Sequence, residues 1–508
     1  MKLSKLLRSL DASKIHYKVD GRRDVLVTGI SDNSTKINTG NLFVAIKGLH
    51  TDAHKLVPEA LKKGAVAVVG ERSLKLNGAT YIKVDNSRQA LSVLASSWYA
   101  NPNKQLKMVG VTGTKGKTTV SYVLYHILNF TGKKVGLISS VAAKIGDKSY
   151  ETGLHVTNPE PLMLQRFLKE MVDSGCEIGI VEVTSHGLEQ DRVFGINFDY
   201  GILTNIAPEH LDYHKTLLNY KKAKLKLFLR SKVAILNKSD NSYNFFTTRL
   251  SPEASSVSYG IGSGNYSAEN VRLGGQTAFD VVDGKTKHRI FTPLQGKYNV
   301  ENIMAAIVCA RLLGVNWQKI TKALKYFPQI PGRLEEIPNN LGISIYIDFA
   351  HTPESLEAVL TYLRSKTKNK LIAVFGCASE RDVLKRPKMG KISTKLADVS
   401  VFTAEDSRYE PTSKIIDEIA SGVKRGAVKE MKLSDNFEKA NRPVFTRIPE
   451  RGRAIYFAVQ QAANKGDTVV ICGKGVETSM AYKGIEYPWL DKKAVEYALK
   501  GKILEIKR

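Results

Sequence analysis

The stretch GVTGTKGKTTV, Gly110 to Val120, decides how the chain is read. It follows an apolar run (Met108, Val109, Val111) and precedes apolar residues at helical spacing: Val120, Val123, Leu124, Ile127 and Leu128. A strand, a glycine-rich turn and a helix start make a phosphate cradle, because backbone N–H groups converge and the helix N-terminus adds partial positive charge. Gly113, Thr114, Lys115, Gly116, Lys117, Thr118 and Thr119 are therefore expected to line a nucleotide site. Lys117 has the reach for terminal phosphates, and Thr118 offers a hydroxyl to Mg²⁺. The strict P-loop pattern has glycine at position 111, where this chain has Val111.

Around this loop, residues 105 to 335 alternate strand-like and helix-like segments, which predicts a mainly parallel sheet covered on both faces. KKVGLISS is the next strand, and TNPEPLMLQRFLKEMV from Thr157 an amphipathic helix. IGIVEVTSHGLEQDRV is an apolar strand ending in Glu182, then Thr184, Ser185, His186 and Arg192. Polar groups at the carboxyl end of a buried parallel strand are where such sheets bind ligands, and a carboxylate opposite Thr118 suits Mg²⁺. YGILTNIAPEHLDYHKTLLNYKKAKLKLF gathers Glu209, His210, Asp212 and His214, a weak metal signal by spacing alone, and Lys224 reads as an ordinary helix lysine. Residues 251 to 291 lack clear periodicity and are expected to be a β-rich insertion.

Residues 1 to 104 read as a small α/β domain, with strands at 25–28, 42–46, 65–69 and 81–84 and helices at 56–63 and 90–99. Residues 336 to 508 alternate again, as a Rossmann-like unit without the dinucleotide fingerprint. The fold class is α/β in three domains: 1–104, 105–335 and 336–508.

At 508 residues and ordinary apolar content, each domain can bury a core. Four scattered cysteines in apolar runs imply buried thiols, with neither a disulfide frame nor a zinc site. No leader-like or membrane-spanning apolar segment is evident, so a cytoplasmic protein is expected. The net charge of +27 is spread along the chain without aromatic-interleaved basic motifs, which argues against nucleic-acid binding; anionic substrates would still benefit from the field.

The signature G-x-x-G-T-x-G-K-T-T, followed by TN-x3-EH-LD-x-H and Y-x-x-AK-x-x-LF, resembles the Mur ligases and, more distantly, folylpolyglutamate synthetases. The resemblance covers nearly the whole chain and is weakest between 240 and 290. It implies Mg²⁺ at Thr118 and Glu182, and a second Mg²⁺ at His210 and a carbamylated Lys224, with Lys117 completing the catalytic group. It also implies ATP contacts from Asn299, Asn302, Arg333, Asp348 and His351. The uridine-nucleotide substrate is implied at Ser34, Thr157, Asn158, Thr184, Ser185 and Arg192.

Four C-terminal motifs, DFAHTPESL, GCASERDVLKRPKMG, EDSRYEP and GKGVET, resemble those of Mur ligases that add a diamino acid. An amino-acid site is thereby implied at Arg386, Glu405, Asp406, Arg408, Gly475 and Glu477. Five positions in the phosphate-loop and C-terminal motifs depart from the family pattern: Lys115 replaces asparagine, Val476 replaces histidine, and Glu405, Asp406 and Ser407 turn DNPR into EDSR. Losing the proline is expected to free the turn and let Glu405 pair with Arg408. The implied activity is ATP-dependent addition of a diamino acid, meso-diaminopimelate over lysine, to UDP-N-acetylmuramoyl-L-alanyl-D-glutamate by a monomer. A Mur-type ligase using a different amino acid, and a non-catalytic P-loop protein binding nucleic acid, are the other readings.

Overall fold

A computed structural model describes residues 1–48, 51–152, 157–274, 276–380, 382–424, 426–437 and 443–507. The chain divides into two compact units, Met1–Phe327 and Pro328–Arg508.

Counted over the described residues, here and below, the first unit holds two sheets. The N-terminal one has five strands in the order Tyr17–Asp20, Thr80–Val84, Ala67–Gly70, Asn41–Val44, Gly29–Ser31. Helix Leu3–Ala12 buries Leu3, Leu6, Leu7 and Leu10, spaced for a single face, in its core. Residues 25–28, expected as a strand, instead tie down the chain start: Leu3 N–H donates to Val25 O and Val27 N–H to Met1 O. The adjoining strand begins only at Gly29.

The central sheet has eleven strands. Strand Lys107–Thr112 lies at its heart, parallel to Ile178–Glu182 on one side and Phe198–Leu203 on the other. Ile178–Glu182 is buried along its whole length, as expected of a strand covered by helices on both faces. Residues 251–291 are not a separate insertion. Strands Ser255–Ile261, Tyr266–Arg272, Thr277–Asp283 and Thr286–Thr292 extend the same sheet to its edge, the last three antiparallel. The N-terminal sheet is fastened to this body through Asp191, whose carbonyl accepts from Ser92 Oγ at 2.6 Å, while Leu162 and Phe194 pack on the N-terminal core.

The second unit is a seven-stranded sheet whose central strands are parallel: Ser344–Asp348, Thr468–Cys472, Leu371–Phe375, Val399–Phe402 and Val444–Arg447. Residues 328–335, assigned from sequence to the central domain, fall here instead, because Glu335–Glu336 pairs antiparallel with Ser344–Asp348. Helices Pro353–Lys366, Lys385–Leu396 and Thr412–Ala420 cover the sheet as the periodicity predicts. Under it the fully buried Arg451 guanidinium meets Asp491 and also donates to the carbonyls of Ala404 and Cys472. All four cysteines are buried free thiols. Among the described residues no helix is long and apolar enough to cross a membrane.

Candidate active site

The loop between strand Lys107–Thr112 and helix Lys117–Phe130 turns on two glycines with positive φ, Gly113 (147°) and Gly116 (85°). Lys117 Nζ folds back over the loop and donates to the carbonyls of Gly113 and Thr114 at 3.0 and 2.9 Å. Thr114 Oγ1 sits 3.1 Å from Tyr220 OH and accepts from Ala207 N–H. The Lys115 backbone is clamped: its N–H donates to Asn205 Oδ1, and its carbonyl accepts from Thr204 Oγ1 and Asn205 Nδ2.

Glu182, at the carboxyl end of its strand, is buried and faces the start of the loop helix. Thr118 Oγ1 donates to its carboxylate at 3.2 Å, and Ser140 N–H does so at 3.3 Å. The Thr118 and Ser140 hydroxyls are 3.0 Å apart. A buried carboxylate flanked by hydroxyls is a hard-oxygen set suited to a divalent cation that shares its shell with substrate phosphates. Ser140 was not identified from sequence, although it ends the strand motif GLISS.

Lys224 is not a solvated helix lysine. It is 1 % exposed, donates to Gly113 O at 2.8 Å, and lies 4.6 Å from the centre of the Tyr220 ring. Burial drives its pKa well below the ordinary lysine value, and the Lys117 ammonium adds to that, against the pull of Glu209. Burial therefore favours the uncharged amine over the ammonium. Glu209 shows the opposite outcome. Burial alone would raise its carboxyl, but Lys115, 2.7 Å away, with Lys117 and His210, holds it down to about 2. His210, in the left-handed region at φ 56°, lies edge-on to His186 at 4.7 Å between ring centres.

The residues implied for the uridine-linked substrate fall into two places. Asn158 Oδ1 accepts from the Thr184 backbone and hydroxyl at 2.8 Å each, and its Nδ2 donates to Glu182 O. Arg192 donates to Asn158 O and pairs with Glu160. Thr184 caps helix Ser185–Glu189, with Ser185 buried at its start. Thr157 is half-buried beside Asn158 in the chain. Ser34 sits instead in the N-terminal sheet region, donating to Glu59. Asn302 closes over the loop, since a Cβ on Gly116 would lie 2.2 Å from Asn302 Oδ1, and Asn302 Nδ2 donates to Asn299 Oδ1.

In the second unit, the strand ends form their own group. Asp348 accepts from the N–H groups of Leu334 and Ala350; Arg333 lies over the Phe349 ring at 4.5 Å, and His351 Nδ1 is 2.9 Å from Phe349 O. Gly475 (φ 55°) approaches Phe349 closely. Lys474, which sequence reasoning singled out only as part of GKGVET, is buried between Asp406 (2.9 Å) and Glu477 (2.5 Å). Arg386 is fully buried and holds Glu410 and Glu418 at 2.8 and 2.6 Å. Contrary to expectation, Glu405 does not pair with Arg408. It is buried beneath Gly473, and the Arg408 guanidinium lies 3.6 Å from Glu380 instead.

This three-part chain, with a P-loop at its centre, matches Mur ligase descriptions in all three parts: the Mur ligase family catalytic domain over residues 26–99, the Mur ligase middle domain over 111–310, and the Mur ligase glutamate ligase domain over 332–475. The chain is 37 % identical over 490 residues to the UDP-N-acetylmuramoyl-L-alanyl-D-glutamate–2,6-diaminopimelate ligase of Clostridium tetani, covering 94 % of this chain and 95 % of that protein. It is 36 % identical to the ligase of the same name from Bacillus licheniformis over the full length of both. A solved structure of a UDP-N-acetylmuramoyl-L-alanyl-D-glutamate–2,6-diaminopimelate ligase superposes with a TM-score of 0.64 at 26 % identity, covering 95 % of this chain and 97 % of that one. The MurF ligase of Thermotoga maritima, solved with ADP, shares the fold at 18 % identity, with a TM-score of 0.61 and coverage of 95 % and 99 %. The chain belongs to the Mur ligase family.

Burial raises the Glu405 carboxyl to about 7, against the counter-pull of Lys385. Its folded pKa thus exceeds its unfolded one, so stability is fully present below about pH 4.5 and is lost as pH rises through 7. Glu405→Gln should remove that loss. Urea unfolding at pH 5 and pH 8 is expected to show the variant gaining on the parent at the higher pH, by on the order of 3 kcal/mol. An unchanged difference at the two pH values would contradict a neutral native Glu405.

Proposed function

We propose that the protein joins meso-diaminopimelate to UDP-N-acetylmuramoyl-L-alanyl-D-glutamate with hydrolysis of ATP to ADP and phosphate, making a peptidoglycan precursor in the cytoplasm. The observation that carries this reading is the buried Lys224 bonded to the phosphate loop at Gly113 O, in a chain alike over its length to ligases named for that reaction.

A carboxylate is a poor electrophile, so the dipeptide carboxylate first attacks the terminal phosphorus of ATP and ADP departs. The amine of the diamino acid then attacks the acyl carbon, loses a proton, and inorganic phosphate leaves. Phosphoryl transfer asks chiefly for positioning and charge neutralisation. Lys117 neutralises the terminal phosphate, and the N–H groups at the start of helix Lys117–Phe130 orient it. Thr118 and Glu182 would hold one Mg²⁺, and His210 with a carbamylated Lys224 a second; such ions would screen phosphate charge. Among the described residues no three His, Cys, Asp or Glu side chains form a ready-made cage, as fits Mg²⁺ sites completed by phosphate oxygens. Only a neutral amine adds CO₂, losing a proton to leave a carbamate anion. Burial of Lys224 favours the amine over the ammonium, and a carbamate there would supply an anionic ligand to the second Mg²⁺, whose charge would offset its burial.

Three measurements test the reading. Phosphate release should require ATP, the UDP-linked dipeptide and the diamino acid together, with the product's mass showing one added residue; full turnover without the other substrates would make it a plain ATPase. Lys224→Ala should lose activity roughly 100- to 1,000-fold, as when one preorganised charge is removed. Formate or acetate should partly restore it, and a fully active alanine variant would exclude the carbamate. Arg408 can exchange Glu380 for the distal carboxylate of diaminopimelate, which its planar fork suits. Arg408→Ala should lower kcat/KM for diaminopimelate on the order of 10- to 100-fold and leave lysine nearly unaffected. A parent enzyme that uses lysine equally well would overturn the amino-acid assignment.

A further inference from the structure

Glu209 lies beside the phosphate loop, within electrostatic reach of both loop lysines. Its carboxylate meets the Lys115 ammonium at 2.7 Å, and that lysine is 41 % exposed against 16 % for the glutamate. Lys117, two residues further on, also acts electrostatically on Glu209. Thr204 and Asn205 fix the Lys115 backbone on both sides, so its side chain is the part left able to change partner.

We propose that Glu209 is an internal stand-in for the terminal phosphate, and that ATP must take Lys115 from it in order to bind. The inference rests on the loop being an ATP site. A triphosphate entering the cradle brings negative charge towards an ionised carboxylate, a repulsion that is strong at such range in a half-buried setting. Phosphate oxygens compete for the same ammonium, and the loss of the Glu209 pair is subtracted from the affinity for ATP. AMP, which lacks the terminal phosphates, has no such competitor. Glu209 and Lys115 are positioning residues here.

The test is calorimetric titration of the full chain with ATP and with AMP in EDTA, for the parent, Glu209→Gln, Lys115→Gln and the double variant. Glu209→Gln is expected to bind ATP roughly five-fold tighter, the scale of a partly exposed ion pair, with AMP affinity unchanged. That gain should vanish in the Lys115→Gln background. Unchanged or weaker ATP binding by Glu209→Gln would overturn the proposal, as would an equal gain for AMP or a gain that persists without Lys115. Unaltered AMP affinity also certifies that the variant is folded; should Glu209→Gln not fold, Glu209→Ala carries the same expectations. A parent that binds neither nucleotide in EDTA, nor ATP in excess Mg²⁺, would overturn the ATP-site reading itself, whereas a parent that binds ATP with no gain in the variant overturns only this inference.

Discussion

The first unit depends on how closely a bare backbone passes its neighbours at the phosphate loop. A Cβ on Gly113 would lie 1.8 Å from Thr204 Oγ1, and one on Gly116 2.2 Å from Asn302 Oδ1. Any side chain at either place would push the loop off the adjoining strand end or off helix Lys297–Leu312, besides forcing an L-residue to a positive φ. The close approach lets Thr204 and Asn205 hold Lys115, and lets Lys224 reach Gly113 O from the other side. The cradle is thus preorganised by three separate segments of chain, which is what charge stabilisation without reorganisation demands.

That closeness also sets the protonation states. Lys224 and Glu209 flank the same loop, yet each departs from ordinary behaviour for a different reason. Lys224 has carbonyl, hydroxyl and ring partners and, among the described residues, no carboxylate in contact, so desolvation dominates and lowers its pKa. Glu209 has an ammonium at hydrogen-bond distance, so attraction wins and the carboxylate persists. Burial sets the direction where no opposite charge is in contact, and a contacting opposite charge can reverse it.

The nucleotide loop was legible because its chemistry is local: strand, glycines and helix start lie within eleven consecutive residues, Gly110 to Val120. Glu182 was legible because strand ends bind ligands in parallel sheets. What escaped the sequence depends on partners far along the chain. The sequence places residues 328–335 before a domain boundary at 335, yet the pairing of Glu335–Glu336 with Ser344–Asp348 ties them to the second unit. Residues 25–28 look like a strand by composition, but their hydrogen bonds go to the chain start. Arg386 is engaged by Glu410 and Glu418, 24 and 32 residues away, which no local pattern could reveal.

The replacement of DNPR by EDSR shows the same dependence on distant partners. Read locally, a proline lost before Arg408 loosens the turn and two acidic residues crowd the arginine. In the fold, Ser407 Oγ is 2.7 Å from Thr412 Oγ1 and donates to Glu405 O, so side-chain bonds restrain the backbone that a proline ring would have restrained. Asp406 is held by the buried Lys474 ammonium and by the Ala481 N–H of the hairpin that follows GKGVET. The Arg408 N–H donates to Ala481 O in the same hairpin. Glu405, raised to about 7 by burial, is about half-ionised at neutral pH, but it lies buried against Gly473 while Arg408 faces Glu380. Neither acidic residue therefore neutralises Arg408, and the turn is pinned by the hairpin. The substitution changes how the arginine is held while leaving its guanidinium available to exchange Glu380 for another carboxylate.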